Sequence, residues 1–144
     1  MSFRSAIEKT PPLAKALKPG LRALGNNSGK IRPSDSSRCE GSVDIDATVK
    51  AQYPEDSRWD YALGYGGKTY FVEVHTAKTD EVSSVLKKLQ WLKDFLARDA
   101  PELNQEPKSF HWVASGKVAI LPNSPQARQL AQKGIKIIGQ LTLP

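Results

Sequence analysis

Two acids and a histidine stand out within an otherwise apolar part of the sequence. Asp60 precedes a Gly66-Gly67 pair, whereas Glu73 and His75 follow it, and Glu73 interrupts the apolar run 70–74. Burying an unpaired carboxylate costs several kcal/mol, so Glu73 needs a partner that balances its charge. Carboxylates and imidazoles are also the groups that bind metal ions and transfer protons. These three residues are therefore the candidates for chemistry.

The two glycines predict how the acids lie relative to each other. A two-residue type I′ or II′ loop at Gly66-Gly67 would join two antiparallel strands and pair Tyr65 with Lys68. Counting outwards from that pair brings Asp60 opposite Glu73, with their β-carbons about 4.5–5.5 Å apart. We expect both acids on one face of the hairpin. The other face should pack against a long helix through Trp59, Tyr61, Tyr70, Val72 and Val74.

Like charges directly opposite each other destabilise a hairpin, so a compensating group is expected. A divalent cation held between Asp60 and Glu73 would provide it. Alternatively, Arg58, which the same register places opposite His75, neutralises the pair, or this face is solvated. The residues alone leave these alternatives open.

The surrounding pattern predicts the elements that position these residues. In chain order they are strands at 42–49, 59–65 and 68–75, a long helix with Thr79 as N-cap, a strand at 109–114 that residues 117–121 continue or pair with, a short helix from Ser124 to Gly134, and an edge strand at 135–139. This order predicts an α/β or α+β domain.

The basic residues are concentrated at the N-terminus. Residues 1–38 hold eight Lys or Arg and two acids, and so carry the whole net charge of +6. Prolines break this segment into short helical pieces, and residues 25–38 have the composition of a linker. We expect a basic helical segment and linker at 1–38 and a core at 39–144, within one domain. The basic segment could contact nucleic-acid phosphates or act as a solubilising tail.

Composition also excludes several classes of protein. No run approaches the roughly 18 apolar residues of a membrane helix, and the N-terminus lacks the apolar core of a signal peptide. The single cysteine, Cys39, cannot form an internal disulfide or a cysteine-based metal site. The sequence predicts a cytoplasmic protein without a membrane partner.

The order of acid, hairpin, Glu-x-His strand, long helix and further strand over roughly residues 40 to 120 resembles the PD-(D/E)XK nuclease superfamily. The resemblance implies a restriction-endonuclease-like core, with a mixed sheet of about four to five strands flanked by helices. Trp59 stands where the family name has proline, and His75 where the family usually has lysine.

The resemblance also implies a role for each site residue. Asp60, Glu73 and the carbonyl of Val74 would bind Mg²⁺ or Mn²⁺, which polarises a phosphoryl oxygen and lowers the pKa of a bound water. His75 would orient or deprotonate that water, or would itself bind the metal and favour Mn²⁺ or Zn²⁺. Lys78 could reach back to replace the missing lysine.

Other charged residues have weaker claims to a role. Glu40, Asp44 and Asp46 could add a further acid or form a solvated face. The helix lysines are expected on a solvated face, namely Lys87, Lys88 and Lys93.

Two functions follow from this pattern. The first is a metal-dependent nuclease that hydrolyses DNA or RNA. The second is a catalytically inactive member of the same fold that binds nucleic acid or protein. A small structural protein without a ligand is a third reading. The choice between DNA and RNA, and a homodimer, stay open.

Overall fold

The computed structural model describes residues 2–144. The helices are α1 (Phe3–Glu8), α2 (Ile45–Val49), α3 (Val82–Asp99), α4 (Pro101–Asn104) and α5 (Pro125–Gln132). The strands are β1 (Ile31–Pro33), β2 (Cys39–Asp44), β3 (Tyr61–Tyr65), β4 (Lys68–His75), β5 (Lys108–Ala114), β6 (Ile135–Ile138) and β7 (Leu141–Leu143). None of the helices in this part of the chain is long and apolar enough to cross a membrane.

A five-stranded mixed sheet forms the centre of the fold. Its strand order is β2-β3-β4-β5-β6, antiparallel from β2 to β4 and parallel from β4 to β6. The long helix α3 lies between β4 and β5 in the chain, as a crossover between parallel strands requires. The prediction of a mixed α/β fold with about five strands flanked by helices is confirmed.

The two faces of the sheet are covered differently. Helices α1, α3 and α5 cover one face and form the main core with residues such as Phe71 and Trp112. The other face packs against Leu24 and against the two-stranded parallel sheet of β1 and β7, in a smaller cluster that includes Tyr65 and Tyr70. Both faces of β4 are therefore apolar and buried.

The N-terminal segment packs against the rest of the chain. Phe3 and Ile7 of α1 are buried in the main core, and the Phe3 ring occupies the space that a β-carbon on Gly64 would fill. Residues 25–38, expected as a linker, contain strand β1, which pairs with β7. This pairing joins the C-terminal strand to the N-terminal quarter of the chain.

The strand predicted at 42–49 is wrong in its second half. Strand β2 ends at Asp44, and α2 begins at Ile45. The Asp44 carboxylate accepts a hydrogen bond from the Ala47 amide at 2.9 Å, an N-cap that competes with the extended conformation. The amides of Ile45 and Asp46 donate to the carbonyl of Asp60, which fixes this turn beside the candidate site.

One of the other predicted boundaries is confirmed, and two are wrong. Helix α5 has Ser124 as its N-cap and Pro125 as its first residue, as expected. Thr79 does not cap α3 with its side chain, because a 3₁₀ turn at Thr79–Glu81 precedes the helix. Residues 117–121 form no strand, and β5 ends at Ala114.

Candidate active site

The hairpin between β3 and β4 has the predicted register. Gly66 and Gly67 have φ angles of 55° and 82°, which fit a type I′ loop. Tyr65 pairs with Lys68, and the register continues until Tyr61 pairs with Val72. Asp60 and Glu73 are the next residues outwards, so the loop brings them together.

Both acids lie on the face of the sheet that α3 covers. The face expected for the long helix is therefore wrong. Among the residues expected under that helix, only Trp59 belongs to the main core, and the others line the opposite face, namely Tyr61, Tyr70, Val72 and Val74. Because both faces of β4 are apolar, alternation could not show which face the helix covers.

Glu73 is fully buried and bonded at both carboxylate oxygens. Its Oε1 accepts a hydrogen bond from the Asp60 amide at 3.1 Å, and its Oε2 accepts one from Lys88 Nζ at 2.6 Å. The Nδ1 atom of His75 lies 3.5 Å from the same Oε2. These contacts supply the charge partner that a carboxylate inside an apolar strand requires.

Asp60 is bonded to the strand that carries Glu73. Its Oδ2 accepts a hydrogen bond from the Val74 amide at 2.9 Å, and within residues 2–144 no side chain donates to this carboxylate. Burial, and then the charge of Glu73, raise the pKa of Asp60 to about 7, although Lys88 and the Val74 amide oppose the shift. Asp60 therefore changes its charge near neutral pH.

His75 lies between two carboxylates. Its Nε2 is 2.9 Å from Glu81 Oε2, and its Nδ1 faces Glu73. The hydrogen bond with Glu73 raises the pKa of His75, and Glu81 acts in the same direction against the effect of burial. The protonated ring can donate to both carboxylates, so this geometry favours a cationic imidazolium over a free base or a metal ligand. Glu81 was not among the residues that the sequence singled out.

Lys88 is the main functional residue that sequence reasoning missed. It was expected on a solvated face of α3, but its ammonium group contacts buried Glu73. The missed signal is its spacing, because Lys88 follows the buried Val85 by three residues and precedes the buried Leu92 by four. Lys87 is exposed, as expected, and Lys93 Nζ lies 5.6 Å from the Phe110 ring centre.

Arg58 does not neutralise the acid pair. Its Nε forms an ion pair with Asp46 at 2.7 Å, and one of its terminal nitrogens donates to the Tyr53 carbonyl. The alternative in which Arg58 balances Asp60 and Glu73 is therefore wrong, and Lys88 supplies the cation.

The other acids and Lys78 remain outside the site. Asp44 caps α2, Asp46 pairs with Arg58, and Glu40 accepts a hydrogen bond from the Gly67 amide. Lys78 precedes the 3₁₀ turn before α3 and is exposed.

The donor set can be tested against a divalent metal. Within residues 2–144, no group of three or more His, Cys, Asp or Glu side chains could hold a metal ion. The oxygen donors of the pair are the two carboxylates, which are hard ligands of the kind that Mg²⁺ prefers together with water, and Val74 contacts Asp60 through its amide. Burial, and then the charge of Glu73, raise the pKa of Asp60, so this carboxyl must lose its proton before it can bind a cation. The type of these donors fits a hard cation, although both Glu73 oxygens already accept hydrogen bonds from the protein.

Comparisons of the chain with protein-family models, with curated proteins and with solved structures give no match.

Proposed function

We propose that this chain is a cytoplasmic, divalent-metal-dependent nuclease with a restriction-endonuclease-like core, which hydrolyses phosphodiester bonds of DNA or RNA. The observation that carries the proposal is the acid pair itself. Asp60 and Glu73 meet across a glycine hairpin, and each carboxylate is fixed by a backbone amide of the facing strand. Such fixed carboxylates resist rearrangement when charge develops nearby.

The residues that would hold Mg²⁺ or Mn²⁺ are Asp60, Glu73 and the carbonyl of Val74. When bound, the ion would polarise the phosphoryl oxygen and lower the pKa of a coordinated water. Asp60, with its pKa of about 7, must lose its proton to act as a ligand. Metal binding near pH 6 would then release protons.

Lys88 and His75 would act as fixed positive charges beside the acids. Lys88 supplies, from α3, the ammonium group that the resemblance expects two residues after Glu73. His75 is held between Glu73 and Glu81, where its raised pKa favours the charged ring. Both cations could stabilise negative charge on a phosphate in the transition state.

The contacts of Glu73 favour a second candidate function. Both of its oxygens already accept hydrogen bonds from the protein, so the acid pair with Lys88 could serve only to stabilise the fold. The chain would then be a catalytically inactive module that binds nucleic acid or protein.

Calorimetric titration separates the two candidates. Mn²⁺ and Mg²⁺ would be titrated into the wild type, Asp60→Asn and the control Asp94→Asn, which changes an exposed acid on α3. The nuclease proposal expects one site in the wild type and the control, and none in Asp60→Asn. It also expects proton release that differs between buffers of different ionisation enthalpy.

Activity is measured on the same proteins with single-stranded and double-stranded DNA and RNA. Metal-dependent cleavage by the wild type that Asp60→Asn abolishes supports the nuclease. If the wild type neither binds these ions nor cuts any of the substrates, the inactive module replaces it.

A further inference from the structure

Three cations form a row across the sheet, on the face opposite α3. This cation row consists of Arg38, Lys68 and Lys136. It lies above a buried aromatic layer formed by Tyr65, Tyr70 and His111. No part of the acid pair is on this face, because Asp60 and Glu73 point towards α3.

Arg38 is held in a defined position at one end of the row. Its Cζ lies 5.1 Å from the centre of the Tyr65 ring, and its backbone carbonyl accepts a hydrogen bond from the Gly66 amide at 3.1 Å. A β-carbon on Gly66 would lie only 2.4 Å from a terminal nitrogen of Arg38. The glycine loop therefore makes room for the guanidinium group.

Lys68 and Lys136 continue the row over the next strands. Lys68 Nζ lies 5.0 Å from the centre of the Tyr70 ring, and Tyr70 stacks on His111 with 5.6 Å between ring centres. His111 is the register partner of Lys136. Burial, and then the charges of Lys136 and Lys68, lower the pKa of His111 to about 4, so both lysines lie close enough to this ring to affect it.

The cations of the row have no ion-pair partner. Within residues 2–144, the ion pairs of lysines and arginines lie between positions 46 and 99, and none involves the row. The acids nearest to Arg38 in the chain make other bonds, since Asp35 accepts from Ser37 and Glu40 from the Gly67 amide. Mutually repelling cations without partners favour binding of an anion.

Both ends of the chain are rich in basic residues. Residues 1–38 carry eight basic residues and two acids, and residues 107–144 carry five basic residues and no acid. The pairing of β1 with β7 joins these two segments on the face of the sheet opposite α3. The C-terminal segment is therefore basic as well, whereas the sequence analysis singled out only the N-terminal one.

We infer that the cation row binds successive phosphates of a nucleic-acid strand, on a surface separate from the acid pair. The row crosses four adjacent strands, from Tyr65 on β3 to Lys136 on β6, which is about 14 Å across the sheet at the usual strand spacing. Lys136 is in register with Val72, four residues along β4 from Lys68, so the row runs diagonally and its ends lie farther apart than neighbouring phosphates. The aromatic rings below it are buried, so the row lacks the exposed apolar centre that a protein partner would contact. The inference rests on the proposed function for the identity of the ligand as nucleic acid.

The test is binding of fluorescein-labelled oligo(dT) and oligo(U), followed by fluorescence anisotropy in EDTA at several salt concentrations. Lys68→Ala/Lys136→Ala should weaken binding by about tenfold or more and lower the log–log salt slope by about 1.4, since each phosphate contact of a single strand contributes about 0.7. The matched control Lys50→Ala/Lys87→Ala removes two exposed charges outside the row and should leave the slope unchanged.

Two further measurements test whether the variants are folded and whether binding is only nonspecific electrostatic attraction. Lys68→Arg/Lys136→Arg keeps the charges and should retain the affinity, while circular dichroism checks the fold of every variant. Polyglutamate should compete poorly with the oligonucleotides. The inference is overturned if the wild type does not bind, if the row variant and the control lose equal affinity, or if polyglutamate competes as well as oligo(dT).

The experiment also separates this inference from the nuclease proposal. Metal titration and oligonucleotide binding in EDTA are independent measurements, because the acid pair and the row lie on opposite faces of the sheet. If the wild type binds the oligonucleotides but no metal ion, only the nuclease proposal is overturned. The row variant Lys68→Ala/Lys136→Ala should lose oligonucleotide affinity and bind metal ions like the wild type.

Discussion

The carboxylates of Asp60 and Glu73 each accept a hydrogen bond from a backbone amide of the facing strand. The Asp60 amide donates to the Glu73 carboxylate, and the amide of Val74, next to Glu73, donates to the Asp60 carboxylate. Two like charges are thus fixed side by side, with Lys88 as the cation that bonds to one of them. The remaining repulsion between the two carboxylates can be measured through its effect on the pKa of Asp60.

Asp60 should make the stability of the protein depend on pH. Its folded-state pKa of about 7 lies above the ordinary value of 3.8, so the folded protein holds a proton that the unfolded chain has lost between these values. The free energy of unfolding should therefore fall as pH rises from about 4 to about 7, by at most about 1.4 kcal/mol per pH unit for this group.

Asp60→Asn removes this titration and can still accept the bond from the Val74 amide. It should be more stable than the wild type at pH 8, and its pH dependence between 4 and 7 should be flatter. Urea unfolding across this range measures both effects, with Asp94→Asn as the control. A variant with an unchanged pH profile would contradict the raised pKa.

Lys88→Met should destabilise the protein because it leaves Glu73 buried without its ammonium partner. We expect a loss of about 2–4 kcal/mol in the free energy of unfolding, compared with at most about 0.5 kcal/mol for Lys87→Met on the exposed face. Combining Lys88→Met with Glu73→Gln should recover part of the loss. Additive effects in this double-mutant cycle would show that the two side chains do not interact.

The two histidines of the chain should titrate far apart. Contacts with Glu73 and Glu81 raise the pKa of His75 above 6.5, whereas burial and two lysines lower that of His111 to about 4. Nuclear magnetic resonance of the ring protons resolves both groups. Glu81→Gln should lower the pKa of His75 and leave His111 unchanged, and two histidines titrating together would contradict these environments.

His75 can also be tested in catalysis. If it acts as a positive charge, His75→Lys should preserve or raise Mg²⁺-dependent cleavage, and His75→Ala should lower it. If His75 instead binds the metal, His75→Lys should abolish Mn²⁺ or Zn²⁺ binding, because an ammonium group cannot coordinate. Loss of cleavage in His75→Lys with intact metal binding would indicate that the imidazole is needed as a base, with a loss of about 10²- to 10⁴-fold.

Gly66→Ala should displace the Arg38 side chain, whereas Gly67→Ala should not. Both residues have positive φ angles, so each substitution costs about 1–2 kcal/mol in backbone strain. Only at Gly66 would the added β-carbon collide with Arg38, since nothing lies within 4 Å of one on Gly67. Gly66→Ala should therefore also weaken oligonucleotide binding. Equal oligonucleotide affinities of the two variants would show that Arg38 does not contribute to that binding.

The sequence by itself determined the register of the hairpin and hence the meeting of the two acids. This was possible because a two-residue glycine loop admits one pairing, from which the partners on both strands follow. The strand 68–75 and the helix from Ser124 also followed from local sequence, namely from a run of aromatic and β-branched residues after the glycine loop and from an N-cap followed by proline.

The partners of the acids were decided only by the tertiary structure. Lys88 follows Glu73 by fifteen residues in the chain and has the same residue type as the exposed Lys87. Only the packing of α3 on β4 distinguishes the two lysines. The face covered by α3 was likewise undetermined, because both sides of β4 are apolar. The strand β1 and the cation row depend on contacts between distant segments, which no local pattern encodes.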